Sequence, residues 1–399
     1  MEPTKVDSFC PYFPPDAELP RRRYGIRLLN EYGHQRPAAS SRLFLRSDYK
    51  KKAMDESVFN LPPIKPYKRR LGHSYGFSDQ YGAFQVAAKH CNVRNACPFP
   101  GIWQHGCFGP WDQISPGSIL YHSPALKDIH VYVARNDEKD YLLSCGLTKV
   151  AAIGLPFVYL PTVETERRKN SLLVVPTHSV AGIPLFKDRA QCNQYVDSIV
   201  KMRNEFAEIV VCLHYGDIVN KYWVDEFQEA GISYVLGAVP HDENSLLRTK
   251  KMFHMFEYVT TNGWGSHVAY ALTCGAKVSI SGPSMKIDPL VASKDLGAGG
   301  LENFNSRFAE KRRRMRASYL SDLYREPLDG IINVKMGAHL IGLENKLSGP
   351  QLMKAFGWHK VGFMRQIGIR LSRKSADLRI YTPQLLKRVR KKFARFAAR

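Results

Sequence analysis

Apolar positions along this chain fall into short blocks that switch between two periods. From Ser74 onward, "YGAFQVAAKHC" carries apolar residues at helical spacing, "HVYVARN" alternates as a strand does, and "EKDYLLSCGL" returns to the helical period and closes on Gly146. "KVAAIGLPFVYLP" is an apolar strand running into a Gly–Pro turn. After a polar linker, Thr162–Asn170, the alternation restarts. "SLLVVPTHS" and "EIVVCLHYGD" are continuous apolar strands with polar ends, the pattern of a parallel sheet covered on both faces. "CNQYVDSIVKMRNEF" and "VDEFQEAG" predict helices, the second ending at Gly231, and "ISYVLGAV" predicts a strand. "HDENSLLRTKKMFHMF" is a helix with Asp242 as its expected N-cap. "YVTTN", a Gly-rich turn, the helix "SHVAYALTCG" and the strand "AKVSIS" complete the series.

Strands alternating with helices of this length predict α/β architecture, and the break at 162–170 divides it into two doubly wound, Rossmann-like domains. The expected boundaries are an irregular basic arm over 1–70 with a short helix near Arg42–Val58, a first domain over 71–165 that includes part of the arm, a second over 171–345, and a basic helical tail over 346–399. No repeat of fixed period is present.

At 399 residues the chain exceeds what one core usually supports, and 44% hydrophobic against 24% charged residues is a globular composition. Lys and Arg total 58 against 36 Asp and Glu, a net charge of +22 that calls for polyanionic partners: nucleic acid, an anionic membrane or phosphorylated substrates. No apolar run approaches the roughly 18 residues of a membrane span. The first 25 residues hold no apolar stretch behind a basic start, so a cytoplasmic location is expected. The eight cysteines are scattered without a C-x-x-C pair, which argues against a zinc site or a disulfide framework.

Near the C-terminus, Leu385, Leu386, Val389, Phe393 and Phe396 share one helical face, with Lys387, Arg388, Arg390, Lys391, Lys392 and Arg395 around it. A basic amphipathic helix suits peripheral attachment to an anionic membrane, each cation contributing about 1 kcal/mol, and Lys387, Arg388, Arg390, Lys391, Lys392, Phe393 and Phe396 are the expected contacts. A helix packed on its own domain remains the alternative. Nucleic acid is not expected, because no recognised binding motif accompanies the charge.

Polar groups collect at the C-terminal ends of four successive strands of the second domain: Thr177-His178-Ser179, His214-Tyr215-Gly216-Asp217, His241-Asp242 and Asn262-Gly263-Trp264-Gly265-Ser266-His267. Ligands of doubly wound sheets bind at that edge. Gly263 and Gly265 permit a tight turn and close approach, and Ser266 and His267 begin a helix whose N-terminus favours a phosphate. The turn is neither a Walker A loop nor G-x-G-x-x-G. Any one of these histidines alone could as well be a capping or core residue; their grouping at equivalent positions makes the case for a ligand site. In the first domain, "PGIWQHGCFGPWDQ" joins aromatic residues to His105 and Asp112, candidate general bases, with Trp103, Gln104 and Trp111 as a candidate acceptor wall. A buried aromatic loop is the competing explanation.

Taken in order, "WQHG", "VARNDEKDYLLSCGLTKVAAIGLPFVYLP", "LLVVPTHS", "VVCLHYGD" and "TTNGWGSHVAYALTCGAKV" resemble bacterial capsular-polysaccharide and O-antigen biosynthesis proteins, which are similar to GT-B glycosyltransferases. The resemblance covers roughly Ser74–Pro283 and implies two Rossmann-like domains facing across a cleft. It further implies a nucleotide-sugar donor at Thr177, His178, Ser179, His214, Gly216, Asp217, His241, Asn262, Gly263, Gly265, Ser266 and His267, and a glycan or lipid-linked acceptor facing His105. Chemistry without a metal or other cofactor is implied too, and no D-x-D motif is present. The chain departs from the family at Val268–Leu272, which lacks the carboxylate often used for the ribose; that also counts against a nucleotide-sugar 2-epimerase. The resulting expectation is a glycosyltransferase building capsule- or O-antigen-type glycan at the inner face of the cell membrane. A glycerophosphate-type transferase, an epimerase of the same fold and a non-catalytic basic scaffold or nucleic-acid-binding protein are the alternatives.

Overall fold

The apolar runs form two parallel sheets. In the computed structural model, residues 56–66, 80–93, 101–108, 129–178, 189–283, 313–315 and 317–359 are described, all within one compact unit, Pro37–Arg399. The first sheet has three parallel strands in sequential order: β1 (Gly101–Trp103), β2 (His130–Val133) and β3 (Val150–Ala152). Helices α1 (Ala83–His90) and α2 (Asn136–Ser144) accompany it. α2 ends where the sequence places it, with Gly146 left-handed (φ 85°) just beyond.

The second sheet contains β4 (Arg168–Val174), β5 (Glu208–Leu213), β6 (Tyr234–Leu236), β7 (Phe256–Thr261) and β8 (Lys277–Ile280). All are parallel, in the spatial order β6-β5-β4-β7-β8. The intervening helices are α3 (Arg189–Val200), α4 (Tyr215–Asn220), α5 (Val224–Glu229), α6 (Ser245–Met255) and α7 (Ser266–Thr273). The chain builds outward from β4 to one edge, then crosses back to β7 and builds to the other. This doubly wound order places a topological switch point between β4 and β7.

Alternation along the strands explains why these runs are apolar throughout. Leu173, Val210, Cys212, Val259 and Val278 enter one core layer, while Leu172, Val174, Val211, Leu213 and Leu236 enter a second on the opposite face. The first layer continues into the smaller sheet through Trp103, Tyr132, Phe157 and Tyr270, whose ring lies 4.0 Å from that of Phe157. The other face of the small sheet is closed by Ile102, Val131, Val133 and Leu142.

After the second sheet, α8 (Val334–Leu340) packs on α7, a contact close enough that a Cβ on Gly337 would fall 2.4 Å from the Thr273 amide nitrogen. Then α9 (Gly349–Ala355) returns to the first sheet. Leu352, Phe356 and Trp358 are buried there, with the Phe356 ring 5.1 Å from Trp103 and 5.6 Å from Tyr132. Residues 346–359 are therefore core-forming, although the charge pattern assigns them to the tail. The helix expected near Arg42–Val58 lies outside the described residues except for a 3-10 turn at Glu56–Phe59, and so does the amphipathic segment 385–396. Asp242 is not the cap of α6: Asn244 holds that position, while Asp242 Oδ1 accepts from the amides of Asn244 and Lys65 and so turns the loop locally. Among the described residues, no helix is long and apolar enough to cross a membrane.

Candidate functional site

The strands flanking the switch point are tied together at their polar ends. Asn262 Oδ1 accepts from both the amide (2.8 Å) and the hydroxyl (3.0 Å) of Thr177, and Trp223 Nε1 donates to the Thr177 carbonyl. Asn262 is buried, so its side chain builds the turn. A Cβ on Gly263 would fall 2.5 Å from Thr177 Oγ1, and one on Gly265 would fall 2.7 Å from the His267 ring. Glycine at both positions is a packing requirement, and Gly265 leaves the His267 imidazole its place, with Nε2 3.0 Å from Thr261 Oγ1.

His214 caps α4, its Nδ1 accepting from the Gly216 amide at 3.0 Å. Its ring stacks on His178, with centroids 4.1 Å apart. Three strand ends of the second sheet, those of β4, β5 and β7, thus present His178, His214 and His267. His241 is half-buried beyond β6, the edge strand on that side. Asp217 is fully buried in the first turn of α4, away from solvent. Ser179 lies outside the described residues.

The loop after β1 brings His105 into the same region. Its ring stacks on Tyr81 at 5.1 Å, and the Tyr81 hydroxyl is 3.0 Å from His214 Nε2. Gly106 is left-handed (φ 92°) and passes close to Ser266, so that the Cys107 amide donates to Ser266 Oγ at 2.8 Å. The Ser266 hydroxyl therefore bonds across to the first sheet's loop. It joins the two sheets at the start of α7.

Two of the acceptor-wall assignments are corrected. Trp103 is 1% exposed, donates Nε1 to the Gly154 carbonyl at 2.9 Å and packs on Tyr159, so it offers no face for stacking a sugar. Gln104 is equally buried: it accepts from the Ala134 amide and donates to Glu138 Oε1 and the Gly106 carbonyl. Both are held because β1 ends inside the core. Trp111 and Asp112 lie outside the described residues.

Burial, and secondarily the charge of His178, pushes His105 down to about 4. The same two causes push His267 down to about 4, against a hydrogen bond with the Gly263 backbone. Both rings are neutral at neutral pH and can donate or accept one proton each. Among the described residues, no group of three or more His, Cys, Asp or Glu is arranged to hold a metal ion.

Beneath the His105 loop lies a buried ionic cluster that the sequence reasoning missed. Arg135 donates to the carbonyls of Phe108 (2.8 Å) and Leu340 (3.2 Å) and to Asp137, and pairs with Glu138 at 3.1 Å. Glu138 is wholly buried and accepts from the Ala134 and Arg135 amides and Gln104. Burial raises its carboxyl to about 7 despite the pull of Arg135. The available signal was Glu138 at the third position of α2, where a carboxylate reaches back to the N-cap. Tyr81 carried no such signal.

No family model matches the chain, and no curated protein does. Solved structures similar to it include an S. aureus TarM variant in complex with fondaparinux, α-GlcNAc-glycerol and UDP (14% identity, 61% of this chain, 47% of that one, TM-score 0.29). They also include UDP-GlcNAc 2-epimerase from Neisseria meningitidis bound to UDP-GlcNAc (14%, 51% and 58%, 0.27) and S. aureus MnaA with UDP (12%, 73% and 87%, 0.33). The chain spans about half the length of the first two, 47% and 58%. The fold assignment rests on the strand order described above.

Proposed function

We propose that the chain is a GT-B-type glycosyltransferase that moves a sugar from a nucleotide-sugar donor to a hydroxyl of a cell-surface glycan precursor of the capsule or O-antigen kind. The observation that carries this reading is the gathering of His178, His214 and His267 around the β4–β7 switch point, with His105 brought to them from the other sheet. A crevice at that point is where doubly wound sheets take nucleotides.

In the proposed reaction the acceptor oxygen attacks the anomeric carbon, the bond from that carbon to the phosphate oxygen breaks, and the nucleoside diphosphate departs with the electron pair. His105, neutral in the free protein, takes the acceptor's proton. A pKa near 4 makes it a weak base, and the negative charge of an entering diphosphate raises it toward the useful range. His178 and His267 stabilise the departing phosphate as hydrogen-bond donors, with His214 holding the stacked His178 ring, aided by the start of α7. Asp112 remains the alternative base. The reading assigns no metal and no other cofactor to the step, and places the protein at the cytoplasmic face of the membrane through its tail.

The test is a thermal-shift screen against CMP, UDP, GDP and dTDP, with and without magnesium. A nucleotide at a hundred times its dissociation constant adds about 2.7 kcal/mol. A shift with one nucleotide that does not need magnesium supports the reading; no shift with any of them overturns it. Once a donor is identified, unchanged transfer in both His105→Ala and His267→Ala would overturn the assigned roles.

A further inference from the structure

We propose that Tyr81 is a positioning residue that holds the imidazoles of His105 and His214 in a single arrangement across the two sheets. The contacts stand independently of the ligand; the effect on binding rests on the nucleotide reading above.

Tyr81 is the middle member of a continuous series. His105 stacks on its ring at 5.1 Å with planes 20° apart, and its hydroxyl lies 3.0 Å from Nε2 of His214, which stacks in turn on His178. His105 follows β1 of the small sheet, whereas His214 and His178 follow β5 and β4 of the large one. The direction of the bond follows from chemistry. His214 Nδ1 accepts from the Gly216 amide, so a neutral ring carries its proton on Nε2 and donates it to the phenolic oxygen. A planar ring for His105 and an oxygen at its far end for His214 are both needed, and tyrosine supplies the two in one side chain.

The backbone bears this out. Tyr81 is left-handed (φ 59°, ψ 23°), a conformation uncommon for a bulky residue and tolerated where the surroundings enforce it. Here the enforcement comes from the large sheet. The Tyr81 amide donates to the Pro240 carbonyl at 2.9 Å. The next residue, Gly82 (φ 78°), lies so close to the loop after β6 that a Cβ would fall 2.6 Å from the Glu243 carbonyl oxygen. The turn is thus seated on one sheet's loops while its side chain grips the histidine of the other.

The experiment compares the full chain, labelled with 15N at histidine, with Tyr81→Phe and Tyr81→Leu, using imidazole spectra, unliganded melting temperature and UDP affinity in magnesium-free buffer. Phenylalanine keeps the ring on His105 and loses the oxygen. We expect unchanged His105 shifts, loss of solvent protection at His214 Nε2–H, a modestly lowered melting temperature, and UDP binding weakened by about two- to tenfold, the range of one hydrogen bond. Leucine should disturb both histidines and weaken UDP further. Unchanged His214 protection in the phenylalanine variant overturns the proposal, as does wild-type UDP affinity in both variants. If the wild-type chain does not bind UDP, the histidine spectra decide alone: changes at both rings uphold the role of Tyr81, and unchanged rings overturn it.

Discussion

Replacing Arg135 by methionine should destabilise the fold by an amount that grows with pH. The side chain is 1% exposed, and methionine retains most of its aliphatic bulk. Two buried carbonyls, those of Phe108 and Leu340, lose a charged donor and keep the weak Cys107 thiol at 3.9 and 3.2 Å. At roughly 1–3 kcal/mol for each unsatisfied group, the loss is about 3 kcal/mol before any charge is counted. Glu138 then adds a pH-dependent part. Its folded-state carboxyl, at about 7, stands above its ordinary 4.5, so it favours folding at low pH and this contribution fades as pH rises through 7. Without Arg135 the carboxyl rises further, and above pH 7 it must ionise unpaired or hold its proton. Each pH unit then costs about 1.36 kcal/mol, which makes the variant about 5 kcal/mol less stable at pH 8.5 against about 3 at pH 6. Urea unfolding of both proteins at the two pH values measures it. A loss equal at both pH values would refute the charge argument, and a loss below about 1 kcal/mol would refute the burial argument as well.

Other expectations follow from the same geometry. Because burial holds His105 and His267 near 4, a nucleoside diphosphate bound as proposed must raise them, so its binding should take up protons; calorimetry at pH 5.5 in two buffers of different ionisation enthalpy measures the uptake, and zero uptake would contradict it. The same depressed values mean that stability present above pH 6.5 is lost as pH falls toward 4, and His267→Gln should flatten that limb in an acid-unfolding series. Gly265→Ala should push the His267 ring from its place and cost about 1–3 kcal/mol, read as a lowered melting temperature; an unchanged melting temperature would refute it. The membrane role proposed for the tail rests on its sequence alone; if it holds, charge reversal of Lys387, Arg388, Arg390 and Lys391 should release the chain from phosphatidylserine vesicles in sedimentation, and unchanged sedimentation would refute it.

The alternation of strands and helices was legible because each strand of the large sheet is covered on both faces and so reads as an unbroken apolar run, as in "SLLVV" and "EIVVCL". The polar strand ends were legible for a related reason: the apolar run stops where the sheet stops. What sequence could not convey was the partner of each side chain. Ser266 and Cys107 are 159 residues apart, and Tyr81 and His214 are 133 apart. Trp103 and Gln104 looked like loop residues because β1 is only three residues long, too short for alternation to declare which of its neighbours point inward.

These long-range pairs also explain why the site needs both sheets. The large sheet alone supplies His178, His214 and His267, but the groups that hold His105 and its loop come from three separate places: the Tyr81 ring before α1, the Arg135–Glu138 cluster at the start of α2, and the Leu340 carbonyl at the end of α8, which accepts from Arg135. Arg135 touches both the His105 loop, at Phe108, and α8, at Leu340, while Ser266 joins that loop to α7. α8 is itself packed on α7 through the close approach at Gly337. The loop bearing His105 is therefore held on one side by the helix that carries His267 and on the other by a buried guanidinium. Loss of Arg135 should accordingly reach the site as well as the fold, and if the proposed nucleotide site is right, affinity for the nucleotide should fall in Arg135→Met even at pH 6, where the variant remains folded.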